Sequence, residues 1–455
     1  MTRYLVTLFL GFILAAPVRA NDEALLQLLK ALHENGTIDA ATYQKILVVA
    51  EDGQPSEPTS SGAESSDDIR QAVKTEVAEA TKDQPQITTA GKFEVTSPDK
   101  EFSFRVGGRI QVDAATYSED QLQHNDGTEF RRARLFVQGR LWDIWGYKLQ
   151  YDFTGSGRDG LQDVYLDYNG FDEFKIRTGH FKEPFSLQNM TSSKYITFME
   201  RALPHVFTPS RNLGVSFISG GKNWTAAAGM FGEGRDGADG NADEGYGFSG
   251  RLTYGPGLAD GSQLHLGGSA SYRNTGSDDL VRFRERPESH LTDTRLVDTG
   301  NIDTDSYSRF VLESAWIKGP FSIAGEYYNL MLERAIAGNP SLNFSGYYLE
   351  GGWFLTGESM NYSASKGAFG KITPKQNVGK GGIGAWQIAA RFSNVDLTDK
   401  DIDGGEEQNL TLGVNWFTTP NIRFSANYVN VLKVDGGPAS GDEPDIFQLR
   451  SQVEF

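Results

Sequence analysis

The sequence predicts an all-β transmembrane barrel of 16 antiparallel strands behind a short helical arm in the periplasm. Three observations predict it. The chain starts like an exported protein, its hydrophobic period is two from residue 92 onward, and its last strand alternates up to the final residue, Phe455.

Thr2-Arg3 precedes an apolar run from Tyr4 to Ala16, and the small-residue pattern Val18-Arg19-Ala20 follows, so residues 1–20 read as a secretory signal peptide. The run is shorter than the ~20 apolar residues of a spanning helix. No later segment comes close, which excludes a helical membrane protein. With no cysteine, disulfides, thiol nucleophiles and zinc–cysteine sites are excluded too. The 52 glycines and 12% aromatics, beside low overall hydrophobicity, suit a wall in which only alternate residues meet lipid. A net charge of −17 argues against nucleic acid as a partner.

Residues 21–91 form the expected arm, with 13 acids and 5 bases. Leu25, Leu26, Leu28, Leu29 and Leu32 make one apolar helical face, Asn35-Gly36 breaks it, and Asp39 suits the cap of a second helix. Residues 51–66 are a polar linker, and Ile69, Val73 and Val77 are spaced for another short helix. Residues 22–82 thus read as a periplasmic arm able to reach peptidoglycan.

From residue 92 the period changes. Phe102, Phe104, Val106, Ile110 and Val112 share one face against Ser103, Arg105, Arg109 and Gln111. Ala133, Leu135, Val137 and Leu141 oppose Arg134, Gln138 and Arg140, and the dyad recurs to give 16 strands, ending near 383–393, 408–418, 421–431 and 445–455. That number is large enough for an aqueous channel, and an even number returns the chain to the periplasm. In the last strand Phe447, Leu449, Val453 and Phe455 face away from Gln448, Arg450, Gln452 and Glu454. Tight connections such as Trp142-Asp143-Ile144 belong to the periplasmic side. Long ones, at 114–129, 182–211, 274–304, 331–343, 357–382 and 394–407, are expected outside or folded inward.

Four segments then carry a family resemblance: KEFSFRVGGRIQ (100–111), FRRARLFVQGRLWDIWGYKLQYDF (130–153), the stretch from GHFKEPFSLQ to TSSKYITFMER (179–201), and LTLGVNWFTTPNIRFSANYV (410–429). Together they resemble the phosphate-selective porin family, porins O and P. The resemblance implies a homotrimer of 16-stranded barrels in the outer membrane of a Gram-negative bacterium, in contact with lipid and lipopolysaccharide. It also implies passage of small anions such as phosphate or polyphosphate past an arginine ladder and a lysine-lined constriction.

Strand parity by itself names the lumen. It puts 14 bases inward, among them Arg105, Arg109, Arg132, Arg134, Lys148, Arg309, Arg391, Arg423 and Arg450, against 8 acids including Asp113, Asp152, Asp163 and Glu313. A net-positive wall concentrates anions, and arginine's fork matches two phosphate oxygens at once. In the connection after the ninth strand, Arg282, Arg284 and Arg286 share a face of an extended segment at a spacing of roughly 6–7 Å. This segment is similar in position and pattern to the family's ladder. With Arg109, Arg131, Arg132 and Lys194 it forms the expected pore lining. The connection 182–211 is the expected constriction loop, carrying Asn189, Arg201 and Arg211. Here the chain departs from phosphate-channel members: Asn189 stands where the family has its central lysine, and Gln162 where it has an acid.

Gly155-x-Gly157-x-x-Gly160 matches a dinucleotide fingerprint but precedes a strand, so it reads as a turn. Asp399-x-Asp401-x-Asp403-Gly404 begins like a calcium loop, but its twelfth position is Leu410 and no helices flank it. No serine sits in a nucleophile elbow and the six histidines lack metal spacing, so no enzyme, metal or cofactor is expected. The expectation is an anion channel; the alternative is a general porin whose arm tethers the outer membrane to the cell wall.

Overall fold

Backbone in lipid must find every hydrogen bond within the protein, and a closed ladder of strands does this without edges. The computed structural model describes residues 82–233, 243–276 and 280–455, with isolated helical positions at Lys30, His33, Ala40, Tyr43 and Gln44. The expected signal peptide, and the arm up to residue 81 apart from those positions, lie outside the described residues. The chain divides into units Met1–Gln84 and Pro85–Phe455. In the first, the rings of His33 and Tyr43 stack 4.5 Å apart.

The second unit is the barrel. Its strands are β1 (Ser103–Ser118), β2 (Gly127–Leu141), β3 (Trp145–Asp152), β4 (Leu161–Tyr168), β5 (Lys175–Lys182), β6 (Arg211–Gly220), β7 (Trp224–Phe231) and β8 (Tyr246–Tyr254). There follow β9 (Gln263–Asn274), β10 (Ser306–Lys318), β11 (Phe321–Glu333), β12 (Leu342–Phe354), β13 (Ala385–Asp399), β14 (Ile402–Thr419), β15 (Ile422–Asp435) and β16 (Asp445–Glu454). Each pairs antiparallel with its neighbours, and β16 closes on β1 from Asp445↔Ser118 to Glu454↔Arg109. Outward positions are apolar and exposed, as at Phe130, Leu252, Leu312 and Leu349. The sequence's seven tryptophans all fall at the end of the barrel that carries the C-terminus and the tight turns at 142–144, 221–223, 319–320 and 420–421. Short turns and both barrel ends mark that side as periplasmic.

The seam is a tight fit. The Gly108 amide donates to the Phe455 carbonyl at 2.9 Å and the Phe455 amide donates back at 3.2 Å. A Cβ on Gly108 would lie 2.5 Å from the Arg134 carbonyl and 2.8 Å from the Phe455 ring. Below the end of β16, a hairpin of Gln86–Thr88 and Phe93–Thr96 pairs with Ser103–Val106 and covers the edge that β16 leaves. The boundary expected at residue 91 therefore falls inside a hairpin.

Two expected connections differ. Residues 394–407 are not a long loop: β13 and β14 run on and turn at Lys400-Asp401, with Thr398 opposite Asp403. The connection 355–384, by contrast, is long but lies on the periplasmic side, and it folds into the lumen. The Phe369 amide reaches Thr191 Oγ1 at 3.2 Å, and Arg251 holds the Gly367 carbonyl at 2.7 Å.

The lumen is not uniformly polar. Tyr328, Leu330, Leu332, Leu342, Phe344, Val395 and Leu397, inward on β11–β13, bury against Phe185, Leu203 and Phe207 of the connection 183–210. Phe283, Val297 and Ile302 of the connection 275–305 complete this core. It fills one sector of the barrel. Partly exposed charges such as Arg134, Lys148, Asp163 and Arg211 lie on β2–β6, across the circle of strands from it.

Because Gly108 is packed against both its neighbour strand and the terminal ring, Gly108→Val should block closure. The expected result is loss of the compact, heat-modifiable species on semi-native electrophoresis. Gly250→Ala, with its nearest contact at 3.7 Å, should fold like the parent.

Candidate functional site

Irregular chain inside a barrel needs partners for its carbonyls, and here wall arginines supply them. Arg423 on β15 donates to the carbonyls of Ile196 and Thr197, Arg450 on β16 to that of Met199, and Arg391 on β13 to that of Glu200. Asn427 Oδ1 accepts from the Met199 amide at 2.8 Å. Segment 196–200 of the inward loop is thereby fixed to β13, β15 and β16.

Its side chain at Glu200 is a charge hub. A bulge between β1 and β2 leaves Arg131 between the pairs Gln111↔Arg132 and Val112↔Phe130. Strict alternation would send Arg131 to lipid; the extra residue turns it inward beside Arg132. Arg131 grips Glu200 with Nε at 2.8 Å and Nη2 at 2.9 Å. Arg450 reaches Glu200 at 2.8 Å while also chelating Asp113, and Arg132 lies 3.9 Å away with its main bond to Gln111. Burial raises the Glu200 pKa, but the three arginines outweigh it and hold the carboxyl well below its ordinary range.

Most of the other inward bases are compensated. Arg134 pairs with Asp152, Lys148 and Arg211 share Asp163, Arg251 pairs with Glu313, and Arg273 with Glu183. Lys194 is compensated as well: it binds Glu454 at 2.5 Å, which Lys371 also reaches at 3.2 Å. A shorter set has no carboxylate partner among the described residues. Arg109 donates only to Ser192 Oγ at 3.2 Å, and Arg105 lies over the Phe136 ring. Lys182 and Arg201 are held by carbonyls alone: Lys182 by Asn189, Arg201 by Gln188 at 2.9 Å and Thr191 at 3.1 Å. These carbonyls end the single turn Leu187–Met190, whose dipole favours a cation there.

Burial pushes Arg201 down to about 10, which leaves it charged at neutral pH. Burial, Arg201 and Lys182 together push His205 well below its usual range, so that imidazole is neutral. Asn189 Nδ2 and His205 Nδ1 are buried without a hydrogen-bond partner. The donors of Lys182, Arg201 and Asn189, with only carbonyls as acceptors, suit an anion. The connection 182–211 read from the sequence contains Lys182, Asn189, Arg201 and Arg211; the structure places Lys182 at the end of β5 and Arg211 at the start of β6.

The connection 275–305 carries the arginine series. Phe283 packs into the core while Arg282 and Arg284 are exposed on the opposite side. The alternation is real, but its charge is largely spent: Arg282 chelates Asp298, and Arg286 reaches Asp293 at 2.8 Å. Among the described residues Arg284 has no acid in ion-pair contact, and Arg295, which the sequence pattern does not single out, lies within the fields of Arg284, Arg286, Glu285 and Asp293. Glu288 bonds Arg391, Ser393 and Thr411 and fixes the segment to β13 and β14. The suspected calcium aspartates are engaged elsewhere: Asp401 with Arg334 and Asp403 with the Gly437 amide.

Burial pushes the Glu285 carboxyl up to about 7, against the opposing pull of the Arg286 amide and Arg295. The neutral form is therefore favoured below that pH. As pH rises through about 7, a negative charge develops beside Arg286 and Arg295, so anion preference should fall. Reversal potentials at pH 5.5 and 8.5 measure this, and Glu285→Gln should remove most of the dependence.

The comparisons agree with this architecture. A sequence profile for phosphate-selective porins O and P matches residues 104–455. An uncharacterized protein of Caulobacter vibrioides is 31% identical over 358 residues, covering 75% of this chain and 71% of its own. Porin O of Pseudomonas aeruginosa is 29% identical over 409 residues, covering 81% of this chain and 92% of its own. Among solved structures, an anion-selective porin from Comamonas acidovorans superposes with a TM-score of 0.52 at 13% identity, over 78% of this chain and all of that one. A loop L8 deletion mutant of OmpT from Vibrio cholerae gives 0.51 at 14% identity with the same coverage. The chain belongs to the phosphate-selective porin O and P family and is an outer-membrane porin of a Gram-negative bacterium, not an enzyme.

Proposed function

We propose that this porin is a passive channel for small anions, with oxyanions of the phosphate class as the solutes its constriction suits. The observation that carries the reading is the pair Lys182 and Arg201, two half-buried bases anchored by carbonyls rather than acids, beside an unpartnered amide nitrogen on Asn189 and an unpartnered ring nitrogen on His205. A carbonyl brings no opposing unit charge to the base it holds. A carboxylate does. Arg109 and Arg105 extend the uncompensated charge along β1, and Arg284 with Arg295 supplies it at the outer mouth.

The family's description as phosphate-selective porins supports the same class of solute. We take the assembly to be a homotrimer on the family's pattern, in contact with lipopolysaccharide. The arm at 22–82 fits a tether to peptidoglycan alongside the channel. The alternative of a weakly selective general porin predicts chloride currents that phosphate does not block.

Planar-bilayer recording under a KCl gradient tests the reading. Anion preference is expected, and cation preference overturns it. Phosphate should block chloride current. Lys182→Gln removes one charge-assisted contact of about 1.5 kcal/mol and should weaken that block about tenfold. Asn189→Lys, which places a base beside Lys182 and Arg201, should strengthen it.

A further inference from the structure

We propose that Glu200 sets how strongly this channel prefers anions, by withholding the Arg131 guanidinium from permeating ions. The inference rests on the anion-channel reading and names a residue that limits it.

The geometry points to a counter-charge rather than a simple structural bond. Glu200 sits at the lip of the inward loop with 15% of its side chain exposed, and Arg131 is exposed to the same extent. Both therefore border open lumen. Arg131 makes two hydrogen bonds, and both go to Glu200. Its partners at the hub differ: Arg450 is chelated by Asp113, and Arg132 is bound to Gln111. Neutralising Glu200 thus removes both carboxylate hydrogen bonds of Arg131, leaving only the field of Glu129, which His290 holds; Arg132 loses a 3.9 Å ion pair but keeps Gln111, and Arg450 keeps Asp113.

The loop itself does not depend on that carboxylate. Its backbone at 196–200 is held by Arg391, Arg423, Arg450 and Asn427 through main-chain groups. Glu200→Gln keeps the size of the side chain and these main-chain bonds. What changes is one unit of charge at the wall and a planar fork that becomes free to face an oxyanion.

The bulge makes the arrangement possible. Without the extra residue in β2, Arg131 would point to lipid and Glu200 would face only Arg132 and Arg450. An arginine brought inward by a bulge and then neutralised by a loop acid is a tuning pair: the acid decides whether the added base counts toward selectivity.

The test is the chloride-to-potassium permeability ratio, from reversal potentials in planar bilayers, with phosphate block of chloride current as a second readout. Glu200→Gln should raise the ratio roughly twofold or more, because an uncompensated charge inside the barrel acts in a confined, low-dielectric setting. It should also tighten phosphate block. Glu200→Asp should keep the parent ratio. The double variant Arg131→Gln/Glu200→Gln should return the ratio toward that of the parent, a result that a mere loosening of the loop does not produce. A Glu200→Gln channel with an unchanged or lower ratio overturns the inference, as does a double variant equal to Glu200→Gln alone. Failure of the underlying reading shows separately: a cation-preferring parent overturns the anion channel, whereas the shift between parent and variant decides the role of Glu200.

Discussion

An irregular loop can enter a barrel at membrane depth only if the wall satisfies its main-chain groups. This constraint organises the interior. Arg391, Arg423 and Arg450 spend their donors on the carbonyls of residues 196–200, and Arg309 on that of Phe207. Arginine suits the task because one planar group reaches two or three acceptors at once and stays charged. The loop's position, the shape of the passage and the placement of Lys182 and Arg201 all follow from these bonds.

The same bonds change what a positive lumen means. Parity gives an excess of inward bases, and on count alone the wall is uniformly attractive to anions. In the folded chain, each base has one of three fates: it grips a carboxylate, holds a carbonyl, or faces solvent without an acid. Only the last two contribute net field, and buried pairs such as Arg251–Glu313 are close to neutral from a distance. On the proposed reading the field comes from Arg105, Arg109, Lys182 and Arg201, from Arg309 and Arg423, which also hold carbonyls without an acid, and from Arg284 and Arg295 at the outer mouth.

The barrel was legible in the sequence because lipid on one face and water on the other impose a strict period of two, and most of the 16 strands show it. Phe455 and Gly108 meeting at the seam accord with the alternation of the last strand. What escaped the period has physical reasons. Residues 394–407 looked like a loop because Asp399, Asp401 and Asp403 are polar, yet they stand on a hairpin that extends past the lipid, where nothing demands apolar residues. The inward face of β11–β13 reads as an error of parity, since Leu330, Leu332 and Phe344 are apolar where a water-filled barrel should be polar. That departure was itself the signal that something apolar folds inside. Of the site, Arg109 and Arg201 were legible by position. The inward turn of Arg131 was not derivable from alternation, because a one-residue bulge inverts the parity on which such reasoning depends. The partners that silence Lys194, Arg282 and Arg286 come from distant or facing segments, and a single chain read in order does not show them.

The apolar core then has a role beyond anchoring loops. By filling the sector along β10–β13, it leaves the polar part of the lumen toward β1–β6, where Arg105, Arg109 and Lys182 lie. A low-dielectric wall facing a charged one focuses the field across the passage, so a few unpaired cations act more strongly there than they would in a wide, wet barrel. On the proposed reading, a chain of net charge −17 can still present a positive passage. The acids are retained where they neutralise structural arginines, and Lys182 and Arg201 are exempt because carbonyls, not carboxylates, hold them.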